Sequence, residues 1–93
     1  MSQFQNLIDV LLEIRQLLAR PDNDFTWSSW IDQKAALKEI DDEISTLQRG
    51  TVPDMAILFA PTGPIQEVSV SSGWGEEFLK LAERYDTEMA KIT

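Results

Sequence analysis

Neither cysteine nor histidine occurs anywhere in this chain of 93 residues. Without cysteine there is no disulfide staple, no thiolate nucleophile and no cysteine-based zinc site, although the redox compartment is left undetermined. Without histidine the commonest general base and metal ligand is gone as well. A serine triad is thereby excluded, and no S-x-x-K spacing or G-x-S-x-G elbow is present to activate a hydroxyl another way. Long apolar runs are missing too. The longest, MAILFA at 55–60, is far too short to cross a bilayer as a helix. The N-terminal stretch carries no Lys or Arg before Arg15 and no small-residue cleavage pattern, so it does not read as a secretory signal. A soluble cytoplasmic protein is expected.

Positive charge is scarce. Eight basic residues stand against sixteen acidic ones, for a formal charge of −8. A surface of that sign repels phosphate backbones and anionic lipid heads, so nucleic acid and membranes are poor partners. A basic protein is a better one, and the plain alternative is that the acidity only secures solubility. What the chain does have is an apolar content of 43 % with three Trp, which marks a folded chain rather than a disordered one. The length suits one domain over 1–93, burying somewhat over 60 % of its unfolded surface by interpolation on size.

Residues 3–20 read as a helix, with Phe4, Leu7, Leu11, Ile14 and Leu18 at helical spacing. Ile8, Val10, Leu12 and Leu17 widen the stripe to roughly 220° of the wheel, more than a one-sided surface helix buries. Such a helix wants neighbours on two sides, and Pro21 ends it. After the polar turn PDNDF a second helix is expected from Ser28 or Ser29 to Gly50. It has Asp32 in its first turn and a one-sided stripe of Trp30, Leu37, Ile40, Ile44 and Leu47. The short connection favours an antiparallel helical hairpin. Residues 54–60 (DMAILFA) and 65–71 (IQEVSVS) are rich in β-branched and aromatic side chains around the turn-forming PTGP, and predict a β-hairpin. In the second strand Val68 and Val70 share one face. A last helix over 75–92 presents Phe78, Leu81, Ala82, Tyr85, Met89 and Ile92 on one side. Glu76 with Lys80, and Arg84 with Glu88, are spaced for i,i+4 support. The expected fold is therefore a small α+β domain, ordered α-α-β-β-α.

Few stretches offer chemistry. Gly73-Trp74-Gly75-Glu76-Glu77-Phe78 approaches a dinucleotide-binding turn but fails on three counts. Phe78 stands where a small residue is needed, two glutamates sit where a pyrophosphate would, and no parallel strand follows. Ser72 or Gly73 as a cap, with the glutamates at the positive helix end, explains the stretch better. Trp74 is then a lid on the core, or failing that a partner anchor. Asp22-Asn23-Asp24 hints at a calcium loop, but Trp27 occupies the glycine position and Gln33 the bidentate glutamate position. Pro61-Thr62-Gly63-Pro64 is formally a P-x-x-P, better read as a turn with Pro61 second and Gly63 fourth. Asp32, Glu39 and Glu43 share a side of the second helix opposite its apolar stripe, the wrong place to raise a carboxyl pKa for acid–base work.

No catalytic, cofactor-binding or metal-binding residue is assigned. The leading expectation is a non-enzymatic protein-interaction module of the inhibitor, immunity, adaptor or chaperone type, with a basic protein as partner and self-association into a dimer through first helices or hairpin edges. Its contact residues are expected among Phe25, Trp27 and Trp74, Asp22 and Asp24 of the acidic turn, and Val10 and Leu17 on the widened side of the first helix. Trp30 falls in an apolar stripe and reads as core. Two alternatives come from other classes. One is a small-ligand binder or weak enzyme with a pocket between hairpin and helices, using Tyr85 and a carboxylate such as Glu67; the other is an acidic mimic of nucleic acid.

Overall fold

The computed structural model describes residues 4–26, 28–60 and 63–92. Its first helix, α1 (Gln5–Leu18), buries seven side chains: Leu7, Ile8, Val10, Leu11, Ile14, Leu17 and Leu18. The width of that stripe has the consequence expected of it. One part faces α2 (Gln33–Gln48) and another faces α4 (Gly75–Ile92), so α1 is the central element. Leu12, which widens the stripe in sequence, is left outside this contact and stays 43 % exposed.

The ends of α1 and its neighbours are tied by side chains. Asn23 Nδ2 donates to the carbonyls of Leu17 at 2.7 Å and Leu18 at 2.9 Å, and Gln33 Nε2 donates to those of Leu18 and Arg20, both at 2.9 Å. Carbonyls that a helix end leaves without partners are thereby satisfied. Because Gln33 opens α2, the end of α1 lies against the start of α2. Along α4 the pairs Asn6–Glu88, Glu13–Arg84 and Asn23–Trp74 descend on one side as they ascend on the other, which makes α1 and α4 antiparallel. The α4 spacing that suggested Glu76–Lys80 and Arg84–Glu88 pairs is used differently: Arg84 pairs with Glu13, and Glu88 with Lys91. These exposed pairs hold orientation and contribute little stability.

The second helix begins later than Ser28 or Ser29. Asp32 is its cap, accepting from the Ala35 N–H at 2.9 Å, and the Ser28 hydroxyl accepts from the Trp30 N–H in a local turn instead. Trp30 thus precedes the helix yet is still buried. At the far end the Thr51 N–H reaches back to the Thr46 carbonyl, closing α2 just beyond Gln48.

The β-hairpin is not formed. The described residues comprise four helices and no strand, so the architecture is all-α rather than α+β. Residues 65–71 belong to α3 (Pro64–Ser72), which has Pro64 in its first turn, where a missing N–H costs nothing. Val68 and Val70 share no face there: Val68 is fully buried and Val70 is 67 % exposed. The buried set Ile65, Val68 and Ser69 follows helical spacing. Residues 54–60 form an irregular segment with a turn at 56–59, burying Met55, Leu58 and Phe59 while Ala56 and Ile57 point outward. That i, i+3, i+4 pattern, with Phe59 N–H against the Met55 carbonyl at 3.4 Å, is one helical turn that goes no further. The Gly63 N–H donates to the Ala60 carbonyl at 2.9 Å; Pro61 and Thr62, on which the expected turn rests, lie outside the described residues.

The stretch 71–78 is the corner between α3 and α4. Gly73 ends α3 at φ 85°, and the Trp74 N–H returns to the Ser69 carbonyl at 2.9 Å. The Ser72 hydroxyl accepts from the Asp24 N–H at 2.8 Å and thus fastens the 20s loop to this corner instead of capping α4. Gly63 has a different reason to be glycine. A Cβ there would collide with the Ile57 carbonyl and sit 3.2 Å from those of Leu58 and Ala60.

Candidate functional site: an apolar groove rimmed by carboxylates

Most of the residues expected to contact a partner are used by the fold. Val10 and Leu17 lie in the core between α1 and its neighbours and are buried, leaving little surface to a partner. Pairing of hairpin edges loses its basis with the absence of strands among the described residues. Trp74 is the lid and not the anchor: it is 1 % exposed, and its indole N–H donates to Asn23 Oδ1 at 2.9 Å. Phe25 is half-buried against the core. Asp22 is exposed, while Asp24 Oδ1 accepts from the Thr26 N–H at 2.9 Å; the Thr26 side chain first and this N–H second lower the Asp24 carboxyl pKa. Asn23 Oδ1 and Asp24 Oδ1 both accept hydrogen bonds within the fold. No acidic cluster among the described residues is arranged to hold a metal ion. Trp27 lies outside the described residues.

The expected outer row of carboxylates is not uniform. Asp32 is the α2 cap, but Glu43 is half-buried, with Oε2 enclosed and lacking a hydrogen-bond partner. Burial first, then the charges of Glu39, Asp42 and Asp54, raise its pKa above the ordinary value.

A groove of about 600 Å³ runs between the 56–60 segment, α3 and α4. This is where the runner-up reading expected a pocket, although the hairpin supposed to form its wall is a turn and a helix. Phe59 and Tyr85 make its floor, their rings stacked 4.1 Å apart and 7° from parallel. Stacking fixes the irregular segment to α4 and leaves one apolar surface continuous with Ala82 and Leu79. Leu79 is 60 % exposed at the edge of the groove. Glu67, the carboxylate named from the sequence, is not part of the lining; Glu83 and Asp86 are, on the same face of α4 as Leu79. No Lys or Arg lines the groove. Burial, then the charges of Asp86 and Asp54, raise the Tyr85 phenol pKa, so the hydroxyl stays protonated. On the α3 wall, Gln66 Oε1 is enclosed without a donor.

The apolar surface extends past the cavity. Val70, one turn beyond Gln66 on α3, lies 3.9 Å from where a Cβ on Gly75 would stand, and Gly75 is one turn before Leu79 on α4. Val70 is thus an exposed apolar side chain beside the start of α4, one turn from Leu79. Sequence reasoning missed Leu79, Glu83 and Asp86. The available signal was Leu79 itself, an apolar residue about 100° from Phe78 and outside the stripe that Phe78, Leu81 and Tyr85 define.

A second depression, of about 540 Å³, lies between α1 and α4, where Arg84 is held by Glu13 and Arg20 and Lys80 stand near Glu77. Its signs are mixed and its polar groups compensate one another. No protein-family model, curated protein or solved structure matches this chain. Among the described residues no helix is long and apolar enough to cross a membrane.

Proposed function

We propose that this chain is a non-enzymatic interaction module of the cytoplasm that docks another protein along the groove between α3 and α4. The observation that carries the reading is Leu79. It is a large, mostly exposed apolar side chain joined to a stacked aromatic floor and bordered by carboxylates. Contact surfaces combine an apolar centre with a polar rim in this way. The full absence of histidine and cysteine argues in the same direction, because the groove holds no residue equipped as a nucleophile with its base.

A small-ligand site is the weaker reading. The volume suits a small molecule, but a pocket that binds one encloses most of its surface, and here the apolar lining stays open to solvent at Leu79. Capture from a host lysate with three baits tests the proposal: the wild-type chain, Leu79→Lys on the groove and Leu12→Lys on the outer side of α1. A protein retained by the wild type and Leu12→Lys but lost by Leu79→Lys supports it. Equal capture by all three overturns it.

A further inference from the structure

Resting on that reading, we propose that the occupant of the groove is the apolar face of a basic amphipathic helix belonging to a different protein, its Lys and Arg side chains meeting Glu83 and Asp86.

The walls select a helix. On α4 the groove residues Leu79, Ala82, Glu83 and Asp86 recur at three- and four-residue spacing, and α3 contributes Gln66 opposite them, with exposed Val70 one turn further along that helix. Ridges at that spacing accept the side-chain rows of another helix. Addition of an extended peptide needs a free strand edge, and the described residues contain no strand.

The rim selects the sign. Two carboxylates and no cation line the groove of a chain carrying −8 overall. A cationic helix gains attraction from the rim and from the whole-molecule field, which also speeds its encounter. A second copy of this chain is the wrong occupant. Face-to-face docking about a two-fold axis brings two grooves together, each lined by Glu83 and Asp86 and by no cation, so neither lining supplies positive charge to offset the other. The broad stripe on α1, the other source of self-association, is already consumed inside the fold. A phosphate-bearing or lipid surface is repelled for the same reason.

The probe is a synthetic peptide of about 18 residues, five helical turns, with Leu at i, i+3, i+4 and i+7 spacing and Lys elsewhere. Its controls are the same peptide with Glu in place of Lys, and a scrambled Leu/Lys sequence. Methyl NMR of the full chain reports the contact. The Leu/Lys peptide is expected to shift the Leu79, Ala82 and Val70 methyls, with the scrambled and Leu/Glu peptides giving much smaller changes. Leu79→Lys, and separately the double change Glu83→Lys with Asp86→Lys, should weaken binding by about ten-fold or more, a loss of one decade in the binding constant. Leu12→Lys should leave it unchanged. All these substitutions lie at exposed positions, so the fold is retained. Three results overturn the inference: methyl shifts confined to α1 or α2, equal occupancy by the Leu/Glu peptide, or a dimer mass in solution with the Leu79 methyl protected. Occupancy by the Leu/Glu peptide removes the charge assignment while leaving the groove as a protein-docking site, whereas lysate capture unaffected by Leu79→Lys removes both.

Discussion

The indole N–H of Trp74 donates to Asn23 Oδ1 at 2.9 Å while the amide of the same asparagine donates to the last carbonyls of α1. One side chain thus joins the end of the central helix to the corner where α3 turns into α4. It does so across 51 residues of sequence. Each group in the set is satisfied by another, and satisfied buried networks of this kind specify one arrangement of the parts they join.

Replacing Asn23 with Ala therefore removes three bonds and strands the indole N–H, while the Leu18 carbonyl keeps Gln33 Nε2 and the Leu17 carbonyl keeps the Arg20 N–H. A loss of about 2–4 kcal/mol is expected, at roughly 1 kcal/mol for each bond plus the cost of the one stranded donor. Urea denaturation read by Trp fluorescence measures it. Trp74→Phe combined with Asn23→Ala should lose less than the sum of the single changes, by about 1 kcal/mol, because each removes the other's partner. Strict additivity would show that the two side chains are not coupled.

Two glycines should respond to the same substitution for different reasons. Gly73→Ala keeps open space around the new methyl but puts a side chain at φ 85°, and should cost about 1 kcal/mol. Gly63→Ala has ordinary backbone angles yet drives a methyl into the Ile57 carbonyl, so the turn must move. The larger loss, about 1–3 kcal/mol or more, is expected there, as for other forced overpacking. Thermal melts of the two variants side by side decide the order.

How much of this fold was legible varies by segment, and the reasons are physical. The first and last helices were readable because long periodic stripes leave no other solution, and the α1 stripe even announced its two neighbours. The segment 65–71 was not. A run of alternating Val and Ser satisfies strand and helix templates equally over so short a span, and what decides is the burial of Val68 against the exposure of Val70. The usable clue was Pro64, which is well suited to a first helical turn and poorly suited to the interior of a sheet. Residues 54–60 misled differently, since a single turn burying Met55, Leu58 and Phe59 is too short to show a period. The groove was half-foreseen through Tyr85. Its rim was not, because Glu83 and Asp86 look like any solvated helix face until α3 is known to lie beside them.

Glu43 gives the chain a distinctive acid response. Its folded pKa is raised, so the folded state holds that proton more tightly than the unfolded chain does. The associated stability is fully present below the ordinary value of 4.5 and is lost as pH rises through the folded value. Glu88, held by Lys91 and Asn6, and Asp24, held by Thr26, have lowered pKa values and act oppositely, losing their contribution as pH falls. Glu43→Gln should therefore be more stable than the wild type at pH 7, with the advantage shrinking toward pH 4 and below. Chemical denaturation at a series of pH values tests this; a difference independent of pH would show that Glu43 titrates normally.

Gln66 links stability to the groove. Its Oε1 is enclosed on the α3 wall with no donor, while the backbone carbonyl of the same residue is satisfied by the Ser69 hydroxyl at 2.8 Å. A buried acceptor left unpaired is unfavourable, and removing it in favour of an apolar group of similar shape recovers about 1 kcal/mol. Gln66→Met is accordingly expected to raise the denaturation midpoint, because methionine fills the same volume with a flexible apolar chain. The same substitution makes the groove more uniformly apolar, so it should not weaken the Leu/Lys peptide. If Gln66→Met instead stabilises the chain but abolishes peptide binding, the amide is a specific recognition group that reorients toward the partner, and the docking contact is more polar than Leu79 and the aromatic floor alone imply. If it destabilises the chain, Oε1 has a partner in solution, such as an ordered water, and the wall of the groove is wet.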